Sequence, residues 1–411
     1  MPILLEEDLQ RPLPRMYRVR QQFDETRLED VAGTVRAELA KPEIRALVKP
    51  GMRIAVGVGS RGIQNLYTIV ETTVNSLKEL GAEPFIVSAM GSHGGGTEEG
   101  QREVLAGYGI TEERLGVPVV TTVDTVYLGN CANGRPVWFD RAAYEADLIV
   151  PINRVKLHTD FVGPIQSGLC KMLVIGLGNH KGCSAVHEEA PEVFAGAIEE
   201  TARLILQKAP VGFGIAILEN AYDKTYAVEA VPAEHLVERE KELVQIAKGN
   251  MPYIMLDEAD VIVCGAIGKD ISGAGFDPNI LGRSSVLKQF VLHIPRYQRL
   301  VLCDVTPASH GNGIGVGLFD VITKKVAEQL DLESMYANAI ACNCLGDASV
   351  PCTVDDEETA IRVALKCCRN IDRDHPRIIR IQNTLHLGEI EVSEALLDAV
   401  RADSRMSLIE N

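Results

Sequence analysis

Apolar residues recur along this chain in two alternating rhythms. Runs such as Met-Arg-Ile-Ala-Val-Gly-Val over 52–58 and Pro-Phe-Ile-Val-Ser over 84–88 are apolar at nearly every position, as strands covered on both faces require. Between them, residues 63–80 place apolar side chains at intervals of three and four, the spacing of an amphipathic helix. The same criteria predict strands over 119–123, 148–152 and 212–218, with helices over 191–208 and 233–248. Beyond Pro252 they predict strands over 259–264, 299–303 and 378–381, and helices over 325–329 and 357–368. Strands alternating with helices imply parallel sheets. The expected fold is therefore α/β: two α/β domains with mostly parallel sheets and an interdomain active-site cleft. The expected boundaries are 1–255 for a cofactor-binding domain and 256–392 for a substrate-closing domain. The closing helix, within 393–411, is expected to pack back on the first domain.

Length and charge narrow the function. At 411 residues the chain exceeds what one hydrophobic core usually organises, and its 46% hydrophobic and 24% charged residues are those of an ordinary globular protein. A formal net charge of −16, without a dense Lys/Arg run, argues against nucleic acid or an anionic membrane as partner. The expected partner is a small molecule. The N-terminus lacks the basic and apolar regions of a signal peptide, and no apolar run approaches the roughly 18 to 20 residues that span a bilayer. Ten cysteines without zinc-like CxxC pairs read as reduced thiols, and the expected location is cytoplasmic.

Candidate chemistry falls at strand ends, where open α/β sheets gather ligands. After 52–58 comes Gly59-Ser60-Arg61-Gly62, whose small residues permit backbone approach and whose Arg61 can fork onto a phosphate or carboxylate; the plainer alternative is a turn with a surface arginine. After 84–88, His93 sits among Gly91, Gly94, Gly95 and Gly96, which supply too little side chain to bury an imidazole, so a functional or an exposed loop histidine is expected. Three of the nine histidines, His158, His180 and His187, fall within 153–187, together with Gly168, Lys171 and Lys181. Each is unremarkable singly; together they supply acid/bases, an amine nucleophile and a metal ligand. In the second half, the loop holding Lys269, Asp277, Asn279 and Arg283 is too rich in glycine and charge to be core.

Taken together, these residues resemble the nickel-dependent lactate racemase family over most of the chain. That resemblance implies a two-domain α/β enzyme and a nickel-pincer nucleotide cofactor held between the domains. It implies His93 and His158 as paired acid/bases, Lys171 as the covalent tether of the cofactor and His187, sixteen residues later, as nickel ligand. Ser60, Arg61, Gly168, His180 and Lys181 become cofactor contacts, and proteins that make the cofactor become partners; an oligomer is compatible. Two signatures depart from the family. The Asp-x-Thr-Arg-Pro motif is Val58-Gly-Ser-Arg61-Gly, and Asp-x-Asn-x-Tyr-Gln-x-x-Lys is Asp277-Pro-Asn279-Ile-Leu281-Gly282-Arg283-Ser-Ser285. With Tyr, Gln and Lys gone, Arg61, Lys269 and Arg283 become the expected carboxylate anchors. The implied activity is racemisation or epimerisation of a 2-hydroxy acid other than lactate by proton-coupled hydride transfer. The competing expectations are a zinc-dependent hydrolase using His158, His180 and His187, and a non-catalytic nickel or nucleotide carrier.

Overall fold

The structure, a computed structural model, describes residues 3–60 and 62–410. Two compact units organise it, one formed by Glu25–Met251 and the other by Met1–Asp24 with Pro252–Asn411. Strand β1 (Met16–Gln21) belongs to the second unit. The first unit holds β2 (Arg53–Val58), β3 (Glu83–Ser88), β4 (Val119–Val120), β5 (Thr125–Asn130), β6 (Pro136–Asp140), β7 (Leu148–Arg154), β8 (Phe213–Glu219) and β9 (Thr225–Pro232).

Six of these form one sheet in the order β4-β3-β2-β7-β8-β9, parallel except where β9 returns against β8. Strands β5 and β6 form a separate antiparallel hairpin. In β2 and β3 every residue after the first is buried, which is why their sequences show no alternation. The helix Leu66–Glu79 lays Leu66, Ile69, Val70, Val74 and Leu77 into the same core as Ile54, Val56, Val150 and Ile152. From β2 the chain builds outward through β3 to β4, then adds β7 and β8 on the other side of β2. That reversal puts the switch point of the sheet, where ligands gather in such folds, at the C-terminal ends of β2 and β7.

The second unit contains β1 with β10 (Val261–Cys264), β11 (Arg299–Leu302), β12 (Val321–Thr323), β13 (Cys352–Val354), β14 (Ile378–Ile381), β15 (Glu389–Ser393) and β16 (Met406–Leu408). Its sheet runs β13-β12-β11-β10-β14-β15-β1-β16, parallel from β13 to β14 and antiparallel beyond. Among the described residues, no helix is long and apolar enough to cross a membrane.

The α/β class holds, but the units divide differently from the expected 1–255 and 256–392. The first 24 residues join the second unit because β1 is hydrogen-bonded between β15 and β16, with Val19 fully buried. Gln21 adds side-chain bonds, accepting from Met255 N at 2.7 Å and donating to the Leu387 carbonyl at 2.8 Å. The closing helix, Leu397–Ala402, also stays with the second unit, burying Leu397 and Val400 in that core instead of returning to the first. Of the strand expected over 119–123, only Val119–Val120 pairs.

A chain lacking residues 1–24 is predicted to leave β15 and β16 without their shared partner. Hydrogen exchange followed by mass spectrometry should show protection lost at 389–393 and 406–408 while β2, β3 and β7 keep theirs; equal protection at β15 would contradict the assignment.

Candidate active site

Each candidate loop of the first unit is built by its neighbours. After β3, the loop carrying His93 is held by Gln101, fully buried on the helix Glu98–Gly107: it accepts from Ser88 Oγ at 2.6 Å and donates to the Gly91 carbonyl at 3.2 Å. Thr97 caps that helix by accepting from Gly100 N. Gly91 is required twice over, having a φ of +61° and a virtual Cβ only 2.9 Å from the Ile175 carbonyl. So fixed, exposed His93 brings Nδ1 against Ser60 Oγ from the loop after β2. The sequence expectation thus joins two residues from adjacent strand ends. Arg61 lies outside the described residues.

After β7 the chain makes a lobe closed at its neck by paired backbone bonds between Lys156 and Ser167. Inside it, buried Gln166 accepts from His158 N at 2.8 Å, and Asp160 N donates to His158 Nδ1 at 3.0 Å. The backbone donor on Nδ1 leaves Nε2 as the ring nitrogen open to other side chains. Nε2 faces Lys171 Nζ at 2.5 Å, so the two residues that resemblance made acid/base and tether are in direct contact.

Lys171 ends a short helical turn, Leu169–Lys171, which runs into a π-helical segment, Met172–Gly176, and then into the helix Asn179–His187. Single π-turns are rare and gather at functional sites. All five residues of this one are buried. It packs under the His93 loop, where Gly91 N donates to the Gly176 carbonyl at 3.0 Å.

At the end of that helix, His187 donates from Nδ1 to the Cys183 carbonyl at 2.7 Å, leaving the lone pair on Nε2, the nitrogen a metal would use. The Cys183 thiol lies farther from Nδ1, at 3.5 Å. Its hydrogen bond raises the His187 pKa, against burial. Burial pushes the thiol itself up, but its bonds to His187 and Ser92 outweigh that and leave it below the usual thiol range. An aromatic row joins the two histidines: His158 stacks on Phe161 at 4.3 Å, Phe161 meets Phe194 at 4.8 Å, and Phe194 meets His187 edge-on at 5.1 Å. His180 and Lys181 are exposed on the helix's first turn, with Lys181 Nζ 4.9 Å from the Trp138 ring centre.

Lys269 and Arg283 belong to the second unit and have partners there. Lys269 Nζ donates to the Gly273 carbonyl at 2.7 Å and to Asn338 Oδ1. Arg283 donates to the Leu318 carbonyl at 2.8 Å, pairs with Asp320 at 2.6 Å and lies over Tyr297. Among the described residues no group of three or more His, Cys, Asp and Glu side chains is arranged to hold a metal ion, so the expected zinc set of His158, His180 and His187 is not assembled.

Residues 11–195 match the family model of the lactate racemase N-terminal domain, a span that includes His93, His158, Lys171 and His187. That segment is lactate racemase-like. The chain's fold is also that of the lactate racemase apoprotein from Thermoanaerobacterium thermosaccharolyticum, with a TM-score of 0.54 over 89% of this chain and 93% of that one. At 13% identity that likeness concerns fold alone. A protein from Thermotoga maritima is similar over 66% of this chain and 70% of its own, at 14% identity and a TM-score of 0.47. No curated protein matches.

Two buried acids beside these residues gave no sign of a site in the sequence. Glu240 accepts from Cys170 N at 2.8 Å, beneath the Lys171 turn. Asp140 accepts from Ala143 N at 2.8 Å and from Asn179 Nδ2 at 2.9 Å, holding the residue that starts the His187 helix. The signal for Glu240 was its position: it falls on the buried stripe Leu236, Val237, Leu243, Val244 and Ala247.

Burial pushes the Asp140 carboxyl up to about 6, against its hydrogen bonds. The folded protein therefore binds that proton more tightly than the unfolded chain does. The stability this allows is fully present below an unfolded pKa near 3.8 and is lost as pH rises through about 6. Denaturant unfolding of wild type and Asp140→Asn, at about pH 4 and about pH 7, should show wild type losing on the order of 2–3 kcal/mol relative to the variant. Parallel pH profiles would refute the assignment.

Proposed function

We propose that the protein is a racemase or epimerase of a 2-hydroxy acid other than lactate. One observation carries this: loops from adjacent strand ends and the segment that follows them assemble His93 with Ser60, His158 with Lys171, and His187 with a committed Nδ1. The set fits a nickel-pincer nucleotide. Lys171 offers an amine for attachment, and His187 offers one lone pair. A single imidazole suits a metal whose other ligands arrive with the group, and no three-donor cluster exists among the described residues.

When bound, such a cofactor supplies a reversible hydride acceptor, so a hydroxyl-bearing carbon can lose its configuration without forming a carbanion. The chain's own work is to move protons. His158, whose Nδ1 accepts from Asp160 N, and His93, whose Nδ1 is engaged by Ser60, are the two groups that exchange the substrate's hydroxyl proton. One accepts it as the carbonyl forms, and the other donates when the opposite configuration is made. Imidazole suits this because each residue must serve as base in one direction and acid in the other near neutral pH. Arg61 is the proposed carboxylate fork. Lys269 and Arg283, both engaged by internal partners, are the weaker anchors. Cofactor-synthesis proteins are the partners this function requires.

The test begins with protein purified from cells that make the cofactor, assayed for nickel and intact mass and then offered a panel of chiral 2-hydroxy and sugar acids. Inversion is predicted, with an adduct on Lys171. His93→Ala and His158→Ala should each lower turnover by about 10²-fold or more, and His93→Ala should keep nickel and adduct. Full activity in either variant would overturn the two-histidine scheme. Zinc without nucleotide, or loaded protein inert to the whole panel, would overturn the racemase.

A further inference from the structure

The Lys171 turn begins in an unusual way. Gly168 has no side chain to cap the following amides, yet its φ of 175° is extended backbone open to any residue, so conformation does not demand glycine. Space does. A Cβ there would lie 2.6–2.7 Å from the carboxylate of Glu240. That carboxylate reaches in from the middle of the helix Leu236–Asn250, wholly buried among Leu236, Val237, Leu243 and Val244.

A buried carboxylate normally sits beside a cation. Here the stabilising contacts are Cys170 N, which donates to Glu240 Oε2 at 2.8 Å, the backbone of Leu169, and the Cys170 thiol. Its Oε1 has no further hydrogen-bond partner. Burial outweighs these bonds and pushes the carboxyl up to about 7. On the other side of the turn, Asn153 Nδ2, from β7, donates to the Gly168 carbonyl at 2.8 Å. The first turn of the Lys171 helix is therefore gripped from two elements: its amides by an acid from across the core, its preceding carbonyl by an amide from the sheet. An apolar residue at 240 would pack without any desolvation cost. The acid stands where unsatisfied helix-start amides need an acceptor that glycine cannot supply.

We propose that Glu240 is the positioning residue of Lys171: it caps the turn in place of a local side chain, fixes the direction of the lysine toward His158 Nε2, and is the reason residue 168 is glycine. The inference deepens the reading of Lys171 as a reactive amine and rests on it, but its test needs neither cofactor nor substrate.

The experiment is competitive acetylation of the cofactor-free protein with an N-hydroxysuccinimide ester, reading Lys171 against the other lysines by peptide mass spectrometry. Loss of the acceptor should lower relative Lys171 labelling by about tenfold in Glu240→Ala, while Glu240→Gln, a weaker acceptor of the same shape, should lower it by about threefold. Thermal melts of Gly168→Ala, alone and with Glu240→Ala, should show a large loss for the single variant and a smaller added loss in the double, because removing the carboxylate makes room for the new methyl. Unchanged relative labelling in whichever Glu240 variant folds, or full additivity of the melts, overturns the proposal. Failure of the racemase assay with labelling changed as described would leave the positioning role standing; unchanged labelling in an active racemase would remove the positioning role alone.

Discussion

Everything at the candidate site depends on the reversal of strand order beside β2. Parallel strands built outward on one side and then on the other leave β2 and β7 adjacent, with connections departing in opposite directions. The loops after β2, β3 and β7 consequently end at one edge of the sheet. Ser60 and His93, 33 residues apart, meet because the sheet sets their strand ends side by side, whereas His158 and Lys171 meet within the lobe that Lys156 and Ser167 close after β7. Strands β2, β3 and β7 are buried along nearly their whole length, so the register that sets these distances is held by the core they share.

The connector from Lys171 to His187 turns that edge into a rigid frame. Its π-helical residues are buried, its glycines admit the His93 loop at backbone distance, and its far end is locked from outside. Arg135, buried on the β5–β6 hairpin, pairs with Glu189 just beyond His187 and with Glu200 at 3.0 Å. Asp140, at the end of the same hairpin, holds Asn179 at the other end of the helix. A hairpin that contributes no candidate catalytic group thus fixes both ends of the helix that presents His187. Such support is what keeps a set of reactive side chains within the narrow tolerances that chemistry requires.

Much of this was legible in the sequence, and the boundary has physical causes. Fully buried parallel strands leave continuous apolar runs, and glycine-rich loops around His93 and before Lys171 announce themselves, so the first unit's sheet and its candidate residues could be placed. What depended on long-range pairing could not. β1 reads as a half-polar segment, Met-Tyr-Arg-Val-Arg-Gln, and its partners lie some 370 positions away, so its membership in the second unit has no local sign. The hairpin strands β5 and β6 are part exposed and lack a strong apolar run. Glu240 was visible only as an acid on an apolar stripe, a pattern whose meaning depends on what faces it.

The departures from the lactate racemase signatures acquire a physical cost in the structure. Asp277 and Asn279 persist, but they are spent locally: Asp277 caps the short helix Pro278–Leu281 and accepts from both Asn279 nitrogens. Arg283, four residues on, is bound to Asp320, which also accepts from Leu300 N in β11, so the arginine is wired into the sheet itself. Freeing it for a substrate carboxylate would strand a half-buried aspartate and break a bond that fixes a strand end. A lysine or tyrosine on a mobile loop would carry no such penalty. The region that resemblance assigns to substrate recognition is thus largely occupied by internal bonds, which supports the proposal of a substrate other than lactate alongside the missing side chains.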